Sequence, residues 1–115
     1  MRVTHSIEVK VWVGLREGYD GALHALSEVE TVVQGYVDAE GLCCSVTPTT
    51  FAYTGGHEPG AVVGLMNYPR FPSDLDALFG RAEELAKILG TELGQLRVSV
   101  LGPYVTKMLE KGVDY

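Results

Sequence analysis

The sequence predicts an α+β domain of the ferredoxin-like kind: a βαββαβ sandwich whose four-stranded antiparallel sheet, in the order 4-1-3-2, carries two helices on one face. Three observations support this fold class. Four segments are rich in apolar and β-branched residues, mostly in alternation, which is typical of strands. Two longer segments repeat apolar residues at helical spacing. The order of these six elements fits two crossover units joined by a hairpin.

The first strand and the first helix open the chain. Residues 3–13 alternate between apolar and polar side chains, which predicts a half-buried strand. The glycine-rich segment GLREGYDG, residues 14–21, predicts a loop. Residues 20–38 change to helical spacing, and Asp20 suits the start of a helix because its charge and side-chain oxygen favour that end.

The second and third strands form a predicted hairpin. Residues 42–54 are rich in β-branched and aromatic side chains, which favours a strand. Pro48 has no N–H for a strand ladder, so we expect an edge strand or a bulge there. The turn is GGHEPG, residues 55–60, and the apolar run 61–66 predicts a central strand.

The second helix and the last strand complete the domain. Apolar residues recur at helical spacing from Leu75 to Leu89, and residues 95–101 alternate again as a strand. Residues 1–102 are therefore assigned to one ferredoxin-like domain. Residues 103–115 are assigned to a short C-terminal tail.

Composition and charge narrow the functional classes. Hydrophobic residues make up 46% of the 115 residues and charged residues 21%, which suits one domain with its own core. The protein is acidic, with a net charge of -6, and its nine basic residues are scattered, so no nucleic-acid partner is expected. We find no signal peptide and no apolar run of the roughly 20 residues that span a bilayer. A cytoplasmic protein without a membrane partner is predicted.

No metal and no cofactor are expected. The two cysteines, Cys43 and Cys44, are adjacent, and neighbours in a strand rarely close a disulfide. No CxxC or Cys/His spacing of a metal site occurs. The glycine-rich loop matches neither the P-loop nor the dinucleotide fingerprint.

Two loops that follow strands form the predicted binding site. We expect the first and third strands to run parallel, which places residues 14–21 beside residues 67–74. Helix starts offer free N–H groups, and arginine pairs with carboxylate and phosphate, so the site suits an anionic metabolite or nucleotide. The fourth strand starts at the same edge with Gln95 and Arg97. The predicted ligand-binding residues are Arg16, Tyr19, Asn67, Tyr68 and Arg70.

The role of Arg70 stays open. Pairing of Arg70 with Asp74 or Asp76 would make the segment between the prolines a stiff connector rather than part of a site.

Catalysis at the same cleft is the alternative function, by a small cofactor-free isomerase, lyase or hydrolase. His24 is the possible general base and Cys43 the possible nucleophile. A nucleophilic thiol needs a neighbour that lowers its pKa, and the sequence shows none beside Cys43. Structural roles for both residues stay open.

The uncovered face of the sheet predicts contact between subunits. Trp12, Val62 and Met66 lie on this face and make it too apolar for water, which favours a homo-oligomer, a dimer or a trimer. Coverage by the tail, residues 103–115, stays open. A third possible function is a structural or protein-interaction subunit that uses this face alone.

The order of the elements is similar to that of the PII signalling proteins, the CutA proteins and the ACT regulatory domains. Residues 20–26, DGALHAL, are similar to the strand-to-helix turn of the ACT domains, where a glycine lets an effector approach. The signatures of these groups do not match the chain residue by residue. The resemblance implies an oligomer that binds a small ligand at the seams between subunits.

Overall fold

The computed structural model describes residues 1–115 and has one five-stranded antiparallel sheet and two helices. The strands are β1 (Glu8–Gly14), β2 (Cys44–Tyr53), β3 (Gly56–Met66), β4 (Arg97–Leu101) and β5 (Thr106–Glu110). The helices are α1 (Leu26–Glu40) and α2 (Leu75–Glu92). The strand order across the sheet is β2-β3-β1-β4-β5, and the predicted α+β class is confirmed.

The predicted four-stranded ferredoxin-like sheet in the order 4-1-3-2 is wrong, because a fifth strand extends it. The segment expected as a C-terminal tail contains β5, in which Leu109 lies opposite Val98 and Met108 opposite Ser99. Leu109 is buried and covers the edge of the core. Met108 and Leu109 are consecutive and both apolar, so the sequence of this short strand lacks the alternation that identifies the other strands.

The expected parallel pairing of the first and third strands is also wrong. β1 and β3 run antiparallel, with Glu8 opposite Met66 and Gly14 opposite Gly60. The crossover through α1 gives β1 and β2 the same direction, and the hairpin then reverses β3. The end of β1 therefore lies beside the start of β3, next to the hairpin turn.

The connection from β1 to α1 is a folded loop, so α1 begins at Leu26 rather than at the predicted residue 20. The loop turns back on itself through hydrogen bonds from the Glu17 N–H to the Ala22 carbonyl and from the His24 N–H to the Leu15 carbonyl, 2.9 and 2.7 Å. This turn brings its tip back over the end of the sheet.

The core lies between one face of the sheet and the two helices. On β1, Val9, Val11 and Val13 are fully buried, and α2 packs across β1 and β4. Lys10 and Trp12 point to the opposite face, which carries no helix and leaves them partly exposed. Neither helix has both the length and the apolar character that a membrane crossing requires.

Candidate functional site

A cavity lies at the edge of the sheet where β1 ends, β4 begins and the β2–β3 hairpin turns. It encloses about 300 Å³. A shallower hollow of about 160 Å³ adjoins it on the uncovered face and shares Glu58, Gln95 and Arg97 with it. We call the two together the sheet-end cavity. Its other lining residues are Trp12, Gly14, Gly18, Tyr19, Phe51, Tyr53, Leu96 and Ser99.

Two paired glycines shape this cavity: Gly14 lines it, and Gly60 makes room for one of its rings. Gly14 of β1 pairs with Gly60 of β3. A Cβ on Gly60 would collide with the ring of Phe51, so the glycine lets that ring lie across the sheet. Phe51 then meets Trp12, with ring centroids 6.0 Å apart and planes tilted by 55°. Because Gly60 has no side chain, Phe51 and Trp12 lie together and form an aromatic wall along the cavity.

Gln95 is fixed by the backbone and presents an acceptor to the cavity. Its side chain is only 5% exposed. Its amide nitrogen donates to the carbonyls of Arg16 and Leu93, at 2.9 and 3.0 Å. Both amide hydrogens are engaged, so the amide oxygen has a set direction. No donor of the protein bonds to that oxygen, which lies beside Gly14 in the sheet-end cavity.

One negatively and one positively charged side chain line the sheet-end cavity, and they do not form a salt bridge with each other. Glu58 and Arg97 both border it, and neither forms a salt bridge. The Arg97 guanidinium donates a long hydrogen bond of 3.4 Å to the Tyr19 hydroxyl. A carboxylate, a guanidinium and an amide side chain therefore border both parts of the sheet-end cavity, and each part adds two aromatic rings. This combination suits a polar ligand that has a flat or cationic part.

Of the predicted ligand-binding residues, only Tyr19 lines this cavity. Arg16 lies at the same edge, but its guanidinium donates to the Gly21 carbonyl at 3.1 Å and so shapes the loop. Gln95 and Arg97, expected at the start of the fourth strand, also lie here.

The other three predicted residues lie at the opposite edge, since β3 runs against β1. Asn67 is buried, donates to Thr4 and to the His5 carbonyl at 2.8 Å each, and accepts from the Ser73 N–H. Its side chain therefore fastens the N-terminal segment.

Tyr68 and Arg70 are exposed at that same edge. The Arg70 guanidinium lies 5.1 Å from the centre of the Phe71 ring and forms no ion pair with Asp74, which caps α2 by accepting from the Ala77 N–H. The single site that joins Arg16 to Arg70 is not formed within one chain.

His24 forms an ionic clasp outside the cavity lining. Its two ring nitrogens lie 2.9 Å from a Glu17 carboxylate oxygen and 3.0 Å from one of Glu28. The hydrogen bond to Glu17 is the main cause that raises the pKa of His24 above its usual value. A histidine held in its protonated form is a weak general base.

Cys43 precedes β2, whose first residue, Cys44, lies opposite Leu65 near the far end of β3. Burial raises the pKa of the Cys44 thiol to about 12. Neither cysteine lines the sheet-end cavity, so the thiols have no part in the site described here.

The predicted interface residues do share the uncovered face. Trp12 lies opposite Val62 across the β1–β3 ladder, and Met66 is 36% exposed at the end of that row. The C-terminal segment does not cover this face, because β5 extends the sheet sideways. It adds the exposed Met108 to the same surface.

The site predicted from the sequence did not include the residues that the hairpin contributes, which are Phe51, Tyr53 and Glu58. The reason is the direction of β3, since a parallel third strand would place the hairpin turn at the far edge. The signal that was available is the glycine at position 60, which interrupts a strand pattern where a backbone or ring approaches closely.

The fold resembles that of two solved structures of a phage SAM lyase. One, in complex with S-methyl-5'-thioadenosine, has a TM-score of 0.75 and 14% sequence identity over 96% of this chain and 93% of that one. The other, in the apo state, has a TM-score of 0.73 and 16% identity over 97% and 95% of the two chains. At these identities the likeness concerns the fold. No protein-family model and no curated protein matches the sequence.

Proposed function

We propose that this protein binds S-adenosylmethionine, or a closely related sulfonium nucleoside, in the sheet-end cavity and cleaves it as a cofactor-free lyase that releases S-methyl-5'-thioadenosine. The observation on which this rests is that Glu58, Gln95 and Arg97 border both adjoining parts of the sheet-end cavity, each of which is also lined by two aromatic rings. The phage SAM lyase with the same fold binds S-methyl-5'-thioadenosine, which supports the choice of ligand.

The aromatic wall suits both parts of such a ligand. A sulfonium cation is attracted to ring faces, and an adenine ring stacks on them. Tyr19 and Tyr53 are 66% and 50% exposed, so both offer free ring surface at the mouth of the cavity. The net charge of -6 further favours the approach of a cationic substrate over that of a free phosphate.

The reaction requires little of the protein beyond positioning. The bond between sulfur and the aminobutyrate chain breaks, and its electron pair stays on sulfur, which leaves as a neutral thioether. The substrate's own α-carboxylate can attack this carbon as the bond to sulfur breaks, which forms a C–O bond and closes a five-membered lactone. Loss of a proton to Glu58, with formation of an alkene, is the competing route. Neither route needs His24 or Cys43, and orientation alone can supply much of the acceleration.

The test is direct. Incubation with S-adenosylmethionine should release S-methyl-5'-thioadenosine, measured by chromatography, and nuclear magnetic resonance of the second product separates lactone from alkene. Glu58→Gln should reduce the rate, while Glu40→Gln, the same change on the end of α1, should not. Failure of the wild-type protein to bind or cleave millimolar S-adenosylmethionine would exclude this function.

Binding without turnover is the second candidate function, favoured by the unpaired charge of Arg97, which also suits an anionic nucleotide. A ligand present at 100 times its Kd adds about 2.7 kcal/mol of stability. Thermal unfolding with AMP, ADP and S-adenosylmethionine therefore ranks these ligands. A rise in melting temperature with AMP or ADP but not with S-adenosylmethionine would favour an anionic nucleotide as the ligand.

We also infer that the uncovered sheet face joins subunits in a dimer or a trimer. Trp12 and Val62 lie side by side there, and Leu101 and Met108 are 39% and 53% exposed. Sedimentation equilibrium should show an oligomer for the wild type and a smaller species for Val62→Lys. A wild-type monomer would contradict the interface.

A further inference from the structure

We infer that the sheet-end cavity contains a subsite for the head group of an α-amino acid, in which Gln95 and Glu58 bind the ammonium group and Arg97 binds the carboxylate. This inference deepens the proposed function, because it assigns the part of the ligand that S-methyl-5'-thioadenosine lacks.

The acceptor oxygen of Gln95 points to a ligand with a donor group. The side chain is more than nine-tenths buried, and both amide hydrogens are held by backbone carbonyls. The amide cannot turn without breaking these two bonds, so its oxygen remains an unused acceptor inside the cavity. Solvent in the cavity reaches this oxygen, because the chain has no fully buried side-chain oxygen without a partner, and a donor group of a ligand can bond to it.

A carboxylate lies next to this acceptor. The position that a Cβ on Gly14 would take lies 2.6 Å from the Gln95 amide oxygen and 3.3 Å from a Glu58 carboxylate oxygen. Two acceptors, one of them charged, thus converge above a residue without a side chain. Three N–H donors and a positive charge match this pair, which is the chemistry of a primary ammonium group.

The negative charge of the head group, its carboxylate, would bind Arg97. This guanidinium borders both parts of the cavity, forms no salt bridge, and has only a long contact to the Tyr19 hydroxyl. An arginine fork binds a carboxylate with two parallel hydrogen bonds. The ammonium group at Glu58 and the carboxylate at Arg97 can belong to one α-amino acid, in which both groups are bonded to the same carbon atom, and neither protein charge is already used in a salt bridge.

The experiment compares ligands with and without the head group by isothermal calorimetry. The probes are S-adenosylmethionine, S-methyl-5'-thioadenosine and S-methylmethionine, which has the amino acid and the sulfonium but no adenosine. Glu58→Gln should weaken binding of S-adenosylmethionine about tenfold or more and leave S-methyl-5'-thioadenosine nearly unchanged. Glu40→Gln, the matched control, should change neither affinity.

Wild-type protein provides the second measurement, which needs no variant to fold. It should bind S-methylmethionine more tightly than the N-acetylated form of the same compound, because acetylation removes the ammonium charge. Equal affinity for the two forms would overturn the subsite.

The failure of this inference and that of the proposed function are distinguishable. Equal weakening of S-adenosylmethionine and S-methyl-5'-thioadenosine by Glu58→Gln would overturn the head-group subsite and leave the proposed ligand intact. Binding of S-methylmethionine alone, sensitive to Glu58→Gln, would support the subsite and contradict the proposed nucleoside.

Discussion

The amide oxygen of Gln95 lies 2.6 Å from the point where a Cβ on Gly14 would stand. No carbon atom fits at that distance, so residue 14 has room for hydrogen only. The contact joins the last residue of β1 to a residue two positions before β4, and both residues line the sheet-end cavity. Gly14 thus has a packing role that no positive φ angle imposes.

Gly14→Ala should therefore damage both stability and binding. The new methyl group must displace Gln95, which strains or breaks its bonds to the carbonyls of Arg16 and Leu93. A buried group left without its partner costs about 1–3 kcal/mol. We expect a fall in melting temperature of roughly 4–12 °C and loss of ligand-induced stabilisation, both measured by thermal unfolding. An unchanged melting temperature would show that Gln95 moves freely.

Gly35→Ala should have the opposite effect on stability. Gly35 lies within α1, and a Cβ there would meet nothing within 4 Å. Alanine loses less backbone entropy than glycine on folding into a helix, which is worth about 0.5–1 kcal/mol. Chemical denaturation should show this gain with an unchanged slope against denaturant. A loss of stability would indicate that another molecule covers this face of α1 in solution.

Local pattern in the sequence predicted the parts of the fold that depend on single elements. Pro48 indicated an edge strand or a bulge, and β2 is indeed an edge strand of the sheet. The alternation of β1 correctly divided Val11 in the core from Trp12 on the uncovered face. Such patterns report which face of an element is buried, because burial acts on each residue separately.

Strand direction and site composition depend on relations between distant residues, and these were predicted less well. The direction of β3 decides whether the hairpin or the loop at residues 67–74 lies beside Gly14. That direction follows from the crossover and the hairpin between the strands, and the side chains of β3 do not determine it. From the sequence alone Glu58 is a polar residue of a predicted turn. It becomes a candidate site residue only when the end of β1 is known to lie next to it. Gln95 could be placed at the correct edge, but its fixed amide depends on the carbonyl of Arg16, far away in sequence.

His24 should make stability depend on pH in a defined direction. Glu17 from the loop and Glu28 from α1 hold its ring, and their hydrogen bonds raise its pKa above the ordinary value of 6.5. Protonation is therefore favoured in the folded state, so the clasp contributes fully below about pH 6.5 and is lost as pH rises through the folded-state pKa.

His24→Gln measures this contribution, because glutamine cannot carry the charge. Partly exposed ion pairs contribute about 0.2–1 kcal/mol each, which corresponds to a melting temperature roughly 1–6 °C lower than that of the wild type near pH 6. The difference should shrink as pH rises above the raised folded-state pKa of His24, where the neutral imidazole predominates. A difference that stays constant from acid to alkaline pH would mean that the clasp acts without its charge.

The two neighbouring cysteines should react at very different rates. Cys44 packs against the core, and burial raises its pKa to about 12, so its thiolate is scarce at ordinary pH. Iodoacetamide near pH 8.5 should therefore modify Cys43 at least about tenfold faster, which fragmentation mass spectrometry can assign. In Cys43→Ser, the remaining, partly buried thiol should react slowly in buffer and much faster after unfolding in urea. Rapid labelling of that variant in buffer would contradict the burial of Cys44.

Arg97 and Arg70 provide the sharpest comparison between the two edges of the sheet. Arg97 borders the sheet-end cavity, whereas Arg70 lies at the opposite edge and contacts the ring of Phe71. Arg97→Met removes the positive charge but keeps most of the aliphatic length. It should weaken binding of S-adenosylmethionine about tenfold or more, since a hydrogen-bonded charge contributes about 1.5–3 kcal/mol. Arg70→Met is the matched control and should change the affinity less than about twofold, because no part of a ligand in the cavity reaches that edge. The reverse result, with Arg70→Met the more harmful change, would place the ligand at the other end of the molecule or at a contact between two chains.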